Sequence, residues 1–408
     1  MRILYLSQWF EPEPNNSKTE TFLRGLQQRG HTLTVCTGFP NYPGGKLYPG
    51  YRIRPFMRET LMGFEVHRVP LYPSHGTSSV GRVLNYLSFW FSALIYGLIR
   101  GSRFDLVYVY HPPITVGLAA ALYGWVRRLP FVIEIQDLWP DSVAASDMTG
   151  TSTLARVIGS VCNFVYARAA GIVVQCPGMK ARLIERGVPE AKVNVVYNWT
   201  DEDAIAQPAP LAIPALDGDA PTIVYAGNLG RAQTVSTIVH AARLAADSAP
   251  DLRVLIVGDG VEEQSLRDLA RDIGATNVVF HDRVTRAEVA SIYPRAAALI
   301  VSLTRQDLFA YVIPTKTQAY MAAGRPLLMS VNGDAARLVE AAQAGLTVEP
   351  EDAEQMADAM VTFARMSQAE RDAMGARGAA YYREHLSFAK GMEATLAVME
   401  RAARGRRA

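Results

Sequence analysis

Short apolar runs alternate with stretches of helical periodicity along most of this 408-residue chain, and the alternation starts twice. In the first half the runs fall at residues 3–6, 33–36, 106–110, 131–135, 172–174 and 193–197. Between them lie segments with helix spacing. One is 19–28, with Phe22, Leu23 and Leu26 as its apolar positions and Gly30 as its stop; the others are 155–170 and 177–186. Strands alternating with helices indicate a parallel sheet covered on both faces. Residues 201–221 break the rhythm with Pro208, Pro210, Pro214 and Pro221 and show no periodicity, so they read as a linker. The rhythm then resumes with strand-like runs at 222–226, 252–257, 278–280, 297–301 and 326–330, and helical stretches at 234–246 and 262–273. The expectation is an α/β chain of two similar units, residues 1–205 and 206–385. A tail over 367–402 reads as helical throughout, and 386–408 reads as a last helix. Ligands of such sheets bind outside the carboxyl ends of the strands, so an active cleft is expected between the two units.

Composition removes several other classes. Apolar residues at 49% and charged residues at 20% are ordinary for a globular chain. A net charge of +2 gives no bulk basicity, so no nucleic-acid partner is expected. Cys36, Cys162 and Cys176 are odd in number and far apart, which predicts buried thiols rather than a disulfide framework. Seven histidines include no H-E-x-x-H pattern, and no metal is expected. Met1-Arg2 runs directly into a short apolar stretch without the pattern of an export signal.

Three segments of the second half carry candidate chemistry. Gly227-Asn228-Leu229-Gly230-Arg231 follows the first strand, where a phosphate-binding loop sits. It is neither a P-loop nor G-x-G-x-x-G, which disfavours nicotinamide binding. Gly258-Asp259-Gly260 follows the next strand; its glycines suit close approach to a phosphate or, equally, a tight structural turn. Residues 314–323 read as a short helix closed by Gly324, with Pro314 and Thr315 suited to its start. The free N–H groups and partial positive charge of that end favour a diphosphate, and Lys316 adds a full charge. The alternative is a surface lysine on a structural helix. Two D-x-D matches, 201–203 and 217–219, fall in the linker and read as solvated charge. In the first half, Gln136 and Asp137 lie just past a strand end and are expected to face the cleft; an Asp capping the next turn is the alternative.

The pieces Ser7-Gln-Trp-Phe-Glu-Pro-Glu-Pro14, Gly38-Phe-Pro-Asn-Tyr-Pro-Gly-Gly45, Gln136-Asp-Leu-Trp-Pro140, Cys176-Pro-Gly-Met179, Tyr197-Asn198, Gly227-Asn-Leu229, Gly258-Asp-Gly260, Pro314-Thr-Lys316 and Tyr320-Met-Ala-Ala-Gly-Arg-Pro326 run in order from end to end. Together they resemble the retaining GT-B glycosyltransferases of family four, and within them the WbuB-type branch of O-antigen and capsule assembly. The resemblance implies two Rossmann-like lobes, with the last helix crossing back to the first. It implies a nucleotide-sugar donor, UDP-linked and carrying an N-acetylated or deoxy hexose, held mainly by the second lobe. The acceptor, a lipid-diphosphate-linked saccharide, is held by the first. Retention at the anomeric carbon, no cofactor and no metal follow from the same resemblance. The implied donor-binding residues are Gly227, Asn228, Arg231, Gly258, Gly260, Arg305, Pro314, Thr315, Lys316 and Gln318; the implied catalytic set is Asp137, Lys316 and Arg231. The chain departs from the family pattern at four places, five residues in all. Ala319 stands where the glutamate that holds the donor ribose is usual, and Tyr311 falls near its partner eight positions earlier. Gln233 replaces a lysine, and Asn15-Asn16 a glycine pair. A ribose contact relocated to Gln318, and charge from Lys316 and Arg305, would offset these losses. The departures also motivate a non-catalytic partner of another transferase as an alternative; a sugar-nucleotide epimerase ranks last.

Residues 82–103 are apolar nearly all round, with Leu84, Leu87, Trp90, Phe91, Leu94, Ile95, Leu98 and Ile99 at helical spacing and Arg82, Arg100 and Arg103 at the flanks. A buried core helix is one reading. The sharper one is an interfacial helix that dips into a bilayer without spanning it, which places the protein at the cytoplasmic face of the inner membrane.

Overall fold

The computed structural model describes residues 1–14, 17–75, 79–142 and 152–405; the Asn15-Asn16 departure lies outside them. The chain forms two units, Met1–Val196 with Met392–Ala408, and Tyr197–Gly391. It therefore leaves the first unit at Val196, not at 205, and re-enters at Met392, not at 386. The second change falls inside the last helix, Phe388–Arg404.

The first unit holds β1 (Arg2–Leu6), β2 (Thr32–Gly38), β3 (Met57–Leu61), β4 (Phe64–Val69), β5 (Leu106–His111), β6 (Phe131–Ile135), β7 (Gly171–Val174) and β8 (Val193–Val195). Their order in the sheet is β3-β4-β2-β1-β5-β6-β7-β8. All pairs are parallel except β3–β4, an edge hairpin that the apolar-run pattern does not reveal. Its turn places Met62 (φ 55) and Gly63 (φ 84) at positive φ, as a two-residue turn between twisted strands requires. Methionine is an unusual occupant of that conformation. The central strands are buried at nearly every position because helices cover both faces. The helix Ile114–Arg127, rich in alanine and glycine and without sequence caps, is one of these covers. The last helix is another: Val398 fills the space beside Gly171, and Arg401 donates to Asn194 Oδ1 at 2.7 Å.

The second unit holds β9 (Thr222–Ala226), β10 (Arg253–Val257), β11 (Val278–His281), β12 (Ala298–Ser302), β13 (Leu327–Ser330) and β14 (Gly345–Thr347), all parallel, in the order β11-β10-β9-β12-β13-β14. The chain adds strands outward to one side from β9 to β11 and then to the other side from β12 to β14, so the strand order reverses between β9 and β12. Such a switch point leaves a crevice at the carboxyl ends of the strands where ligands bind. Ile223, Tyr225, Val254, Ile256 and Leu328 anchor the core between the covering helices.

The expected linker is part of this second unit. Asp201 accepts from Ala204 N and caps the helix Glu202–Ala206. Glu202 Oε1 accepts from Tyr382 OH and from Phe388 N, both at 2.8 Å. Arg295 pairs with Asp217 at 2.6 Å. The D-x-D carboxylates are thus partly engaged in caps and ion pairs, not simply solvated. Cys36, Cys162 and Cys176 are buried and form no disulfide among the described residues, and burial pushes the Cys162 thiol up to about 12.

The apolar segment forms the helix Ser79–Arg100. Among the described residues it is the one helix long and apolar enough to cross a membrane. Its two faces divide differently from the sequence stripe. Asn85, Phe89, Ala93 and Tyr96 are buried against the first unit, while Trp90, Leu94 and Leu98 are half-buried. Val80, Leu84, Leu87, Phe91, Ile95 and Ile99 are exposed. Buried polar bonds fix the inner face: Gln8 Nε2 donates to Asn85 Oδ1 at 2.5 Å, Asn85 Nδ2 to Tyr72 O at 2.7 Å, and Tyr96 OH meets His67 Nδ1 at 2.6 Å.

Candidate active site

The turns after β9 and β10 are locked to each other by backbone. Gly227 N donates to Val257 O at 2.8 Å, Leu229 N to Asp259 O at 2.7 Å, and Glu262 N to Leu229 O at 3.0 Å. A Cβ on Gly258 would lie 1.9 Å from Gly227 O, and one on Gly260 would lie 2.3 Å from Leu229 O. Both glycines are therefore required by backbone approach alone. Beside them opens a cavity of ≈ 300 Å³ whose lining includes Gly227, Asn228, Gly258, Asp259, Arg283 and Thr285. Arg283 reaches Asp259 Oδ1 at 3.3 Å. Arg283 and Thr285 belong to no sequence motif; what marks them is their place just past β11, at the same edge of the sheet.

Lys316 lies at the switch point. It stands in the first turn of the helix Thr315–Ala322, entered from an extended Pro314 (φ −57, ψ 138). Its Nζ sits 3.8 Å from the centroid of the Tyr225 ring. It also lies 2.3 Å from where a Cβ on Gly227 would be, so only glycine leaves room for the amine. Tyr225 in turn donates from its hydroxyl to Asn228 O at 2.7 Å, and Tyr320 OH to Ala226 O at 3.5 Å. Burial pulls the Lys316 ammonium down to about 7. The facing ring offsets part of that loss through cation–π attraction. Among the described residues no carboxylate pairs with it. The helix start adds N–H groups with no intrahelical acceptor and a partial positive charge. The assembly is a partly dehydrated cation site without a counter-ion, which suits an anion.

The other expected donor residues divide. Gly227, Asn228, Pro314, Thr315 and Lys316 come together. Gln318 is buried with the end of its amide against Pro314 O at 2.8 Å and Thr315 O at 3.1 Å, two acceptors that only the amide nitrogen can satisfy. It braces the helix start. Arg231 is exposed in the short turn Arg231–Gln233. Gln233 Oε1 accepts from Asn228 Nδ2 at 3.0 Å and so steadies the loop. Arg305 is not directed at Lys316. Its guanidinium donates to Pro350 O at 3.2 Å and lies 3.5 Å from Glu349 Oε2, while its backbone N donates to Glu351 Oε2 at 3.2 Å. Its charge is committed to the turn after β14.

In the first unit the motif pieces follow the carboxyl ends of β1, β2, β6 and β7. Glu13, almost fully buried, accepts from Asn41 N at 2.7 Å, Tyr42 N at 2.8 Å and Phe10 N at 3.2 Å. Burial lifts its carboxyl and these bonds oppose the lift. One carboxylate thus joins two pieces that lie far apart in sequence. Past β6, Gln136 donates to Glu134, whose other oxygen accepts from Tyr108 OH at 2.5 Å. Gln175 donates to Gln136 O at 2.8 Å. Asp137 is exposed but ringed by protein, and partial desolvation raises its carboxyl from the ordinary value. Among the described residues nothing donates to that carboxylate, so it does not serve as a cap.

Residues 17–199 match the profile of the glycosyl transferase 4-like domain, and residues 220–365 that of the glycosyl transferases group 1. No curated protein matches the chain. Among solved structures, Anabaena HepE in complex with UDP aligns with a TM-score of 0.72 at 14% identity over 98% of this chain and 100% of its own. Sucrose-phosphate synthase from Thermosynechococcus elongatus gives 0.73 at 17% over 99% of each chain. WaaG, a glycosyltransferase involved in lipopolysaccharide biosynthesis, gives 0.64 at 14% over 97% of this chain and 99% of its own. Identities this low carry the fold; the two profiles, which together span most of the sequence, carry the family. The chain belongs to the glycosyltransferases with the GT-B fold.

Proposed function

We propose that the protein is a retaining glycosyltransferase of the WbuB-type branch. It moves an N-acetylated or deoxy hexose from a UDP-linked donor to a lipid-diphosphate-linked saccharide in bacterial surface polysaccharide synthesis. The observation that carries this reading is Lys316, dehydrated against Tyr225 and Gly227 at the start of a helix. Crystals of HepE with UDP and with UDP-glucose support the choice of donor, and the part of WaaG in lipopolysaccharide biosynthesis supports the class of pathway.

The chemistry follows from charge. Departure of a nucleoside diphosphate builds negative charge on its oxygens, and preorganised cations and amides stabilise that charge. Lys316, protonated when the diphosphate arrives, takes this role with the N–H groups of Thr315 and Lys316. Gly227 and Asn228 border the path of the donor, and Arg231 reaches it from the loop. In a front-face retaining reaction the leaving phosphate oxygen accepts the proton of the acceptor hydroxyl. Asp137 then orients the acceptor. No metal ion has a part in this scheme, so turnover in EDTA should equal turnover with added magnesium; a loss greater than about tenfold, near 1.4 kcal/mol of barrier, refutes the metal-free scheme. The deciding assay for the whole reading is UDP release from UDP-sugars in the presence of membrane lipid extract. Tight UDP binding without release would favour the non-catalytic partner, a reading that Ala319 and the engaged Gln233 keep in view.

The same reading places the protein peripherally at the cytoplasmic face of the inner membrane, through the outward stripe Val80, Leu84, Leu87, Phe91, Ile95 and Ile99. Flotation with vesicles containing anionic lipid checks it. Wild type should float, and the double variant Phe91→Glu with Ile95→Glu should stay in the dense fraction. Flotation of both rejects the stripe as the contact.

A further inference from the structure

The helices Ser79–Arg100, Ile114–Arg127 and Ser152–Arg168 of the first unit surround a pocket of ≈ 240 Å³. Its wall is almost entirely carbon, with Val83, Leu87, Leu118, Leu154, Val157 and Val161 as its main members. Four of these, Val83, Leu87, Leu154 and Val157, are also exposed, so the pocket opens onto the surface that carries the apolar stripe. The three helices contain no aspartate or glutamate and five arginines: Arg82, Arg100, Arg127, Arg156 and Arg168. Of these, Arg82 and Arg156 stand on the helix segments that line the pocket, while Arg100, Arg127 and Arg168 lie at the opposite ends of the same helices.

Polar atoms are few in this wall. The buried Nε of Arg82 and the buried Oγ1 of Thr115 both line the pocket and have no partner among the described residues. Trp139, also in the wall, lies two residues from Asp137 and stacks edgewise on Tyr86 with ring centroids 6.4 Å apart. Unpaired buried donors are costly unless something meets them. The volume is below the ~300–1,000 Å³ of sites that enclose a whole small molecule, and a carbon wall rejects a sugar. It suits a segment of an apolar chain whose remainder stays in lipid.

We propose that this pocket takes the head-proximal segment of the apolar chain of a phosphate- or diphosphate-bearing lipid, with the anionic head against Arg82 beside the Asp137 loop. The identity of that lipid as the acceptor rests on the proposed function; the binding itself does not. The test uses the full-length chain and farnesyl diphosphate, with inorganic diphosphate and farnesol as comparison arms, in titration calorimetry. Farnesyl diphosphate should bind at least ten times more tightly than either. Val157→Trp, which fills the pocket, should weaken it at least tenfold, and Arg82→Gln should remove its advantage over farnesol. The thermal shift given by UDP should stay unchanged in both variants and serves as the check on folding. Equal binding of inorganic and farnesyl diphosphate overturns the proposal, as does full farnesyl diphosphate affinity in folded Val157→Trp. Should that variant not fold, a diazirine-bearing farnesyl diphosphate on the wild type decides. Adducts on helices 79–100 and 152–168 support the pocket, and adducts confined to other segments overturn it. Lipid binding without any sugar transfer would sink the proposed reaction and leave the pocket standing. Sugar transfer with no chain binding would do the reverse.

Discussion

Lys316→Met should raise the melting temperature of the unliganded protein while removing most of its affinity for UDP. The wild-type ammonium is brought from its ordinary 10.5 to about 7 by burial, so the folded chain disfavours its proton and the unfolded chain keeps it. Between pH 7 and 10.5 unfolding takes up a proton. Stability therefore rises with pH across that window, and the cost of burying the charge is greatest below pH 7. Methionine fills a similar space with no charge to desolvate, so the variant should be more stable at neutral pH and should lose the rise toward pH 10. A diphosphate beside Nζ reverses the balance by favouring the ammonium. At pH 8 UDP binding by the wild type should thus draw a proton from solution, seen as a binding enthalpy that varies with the ionisation heat of the buffer. The variant should show no such dependence and at least tenfold weaker binding, about 1.4 kcal/mol. Unchanged affinity would mean that the phosphates lie elsewhere.

Gly258→Ala should be the most damaging small substitution in the second unit. The new methyl carbon would meet Gly227 O at 1.9 Å, and the residue sits at φ +146, where side chains are strained. The atom in the way is backbone held by the Gly227 N to Val257 O bond, so no rotamer change relieves it. Overpacking of about 1–3 kcal/mol adds to a backbone penalty of about 1–3 kcal/mol. Urea unfolding should show a loss of about 3 kcal/mol or more, together with weaker UDP binding because both turns must part. Gly30→Ala is the control. It shares a positive φ of +80 but meets nothing within 4 Å, so it should lose only about 1–2 kcal/mol. Similar losses at both sites would show that the turns are not packed as described.

The fold was legible where burial is complete. Runs such as 131–135 and 297–301 are short and bounded by breaks in the pattern, which reads as a strand covered on both faces. The β3–β4 hairpin was hidden because its edge strand is polar at its three central positions and its turn uses methionine at positive φ. The helix Ile114–Arg127 was hidden because small residues give no stripe; its Gly117 exists to let Ile133 and Val165 come close. At the site, Lys316 and Gly227 were readable because a helix start and a strand-end glycine each have a local signature. The fate of Arg305 was not, since its partners at 349–351 lie more than forty residues away and only the folded sheet brings them near. The same holds for Arg283 and Thr285, which share an edge with Gly258 only through the parallel register of β10 and β11. The limits of the two units escaped for a related reason. One helix, Phe388–Arg404, passes from one to the other without any break in its periodicity.

That uninterrupted helix decides how the molecule can be cut. A gene fragment stopping at Val196 would encode every strand of the first sheet yet lack Val398 over Gly171 and Arg401 on Asn194. Expressed by itself it would carry an uncovered apolar flank and tend to precipitate. Splicing residues 392–405 onto it through a flexible tether should restore a soluble half.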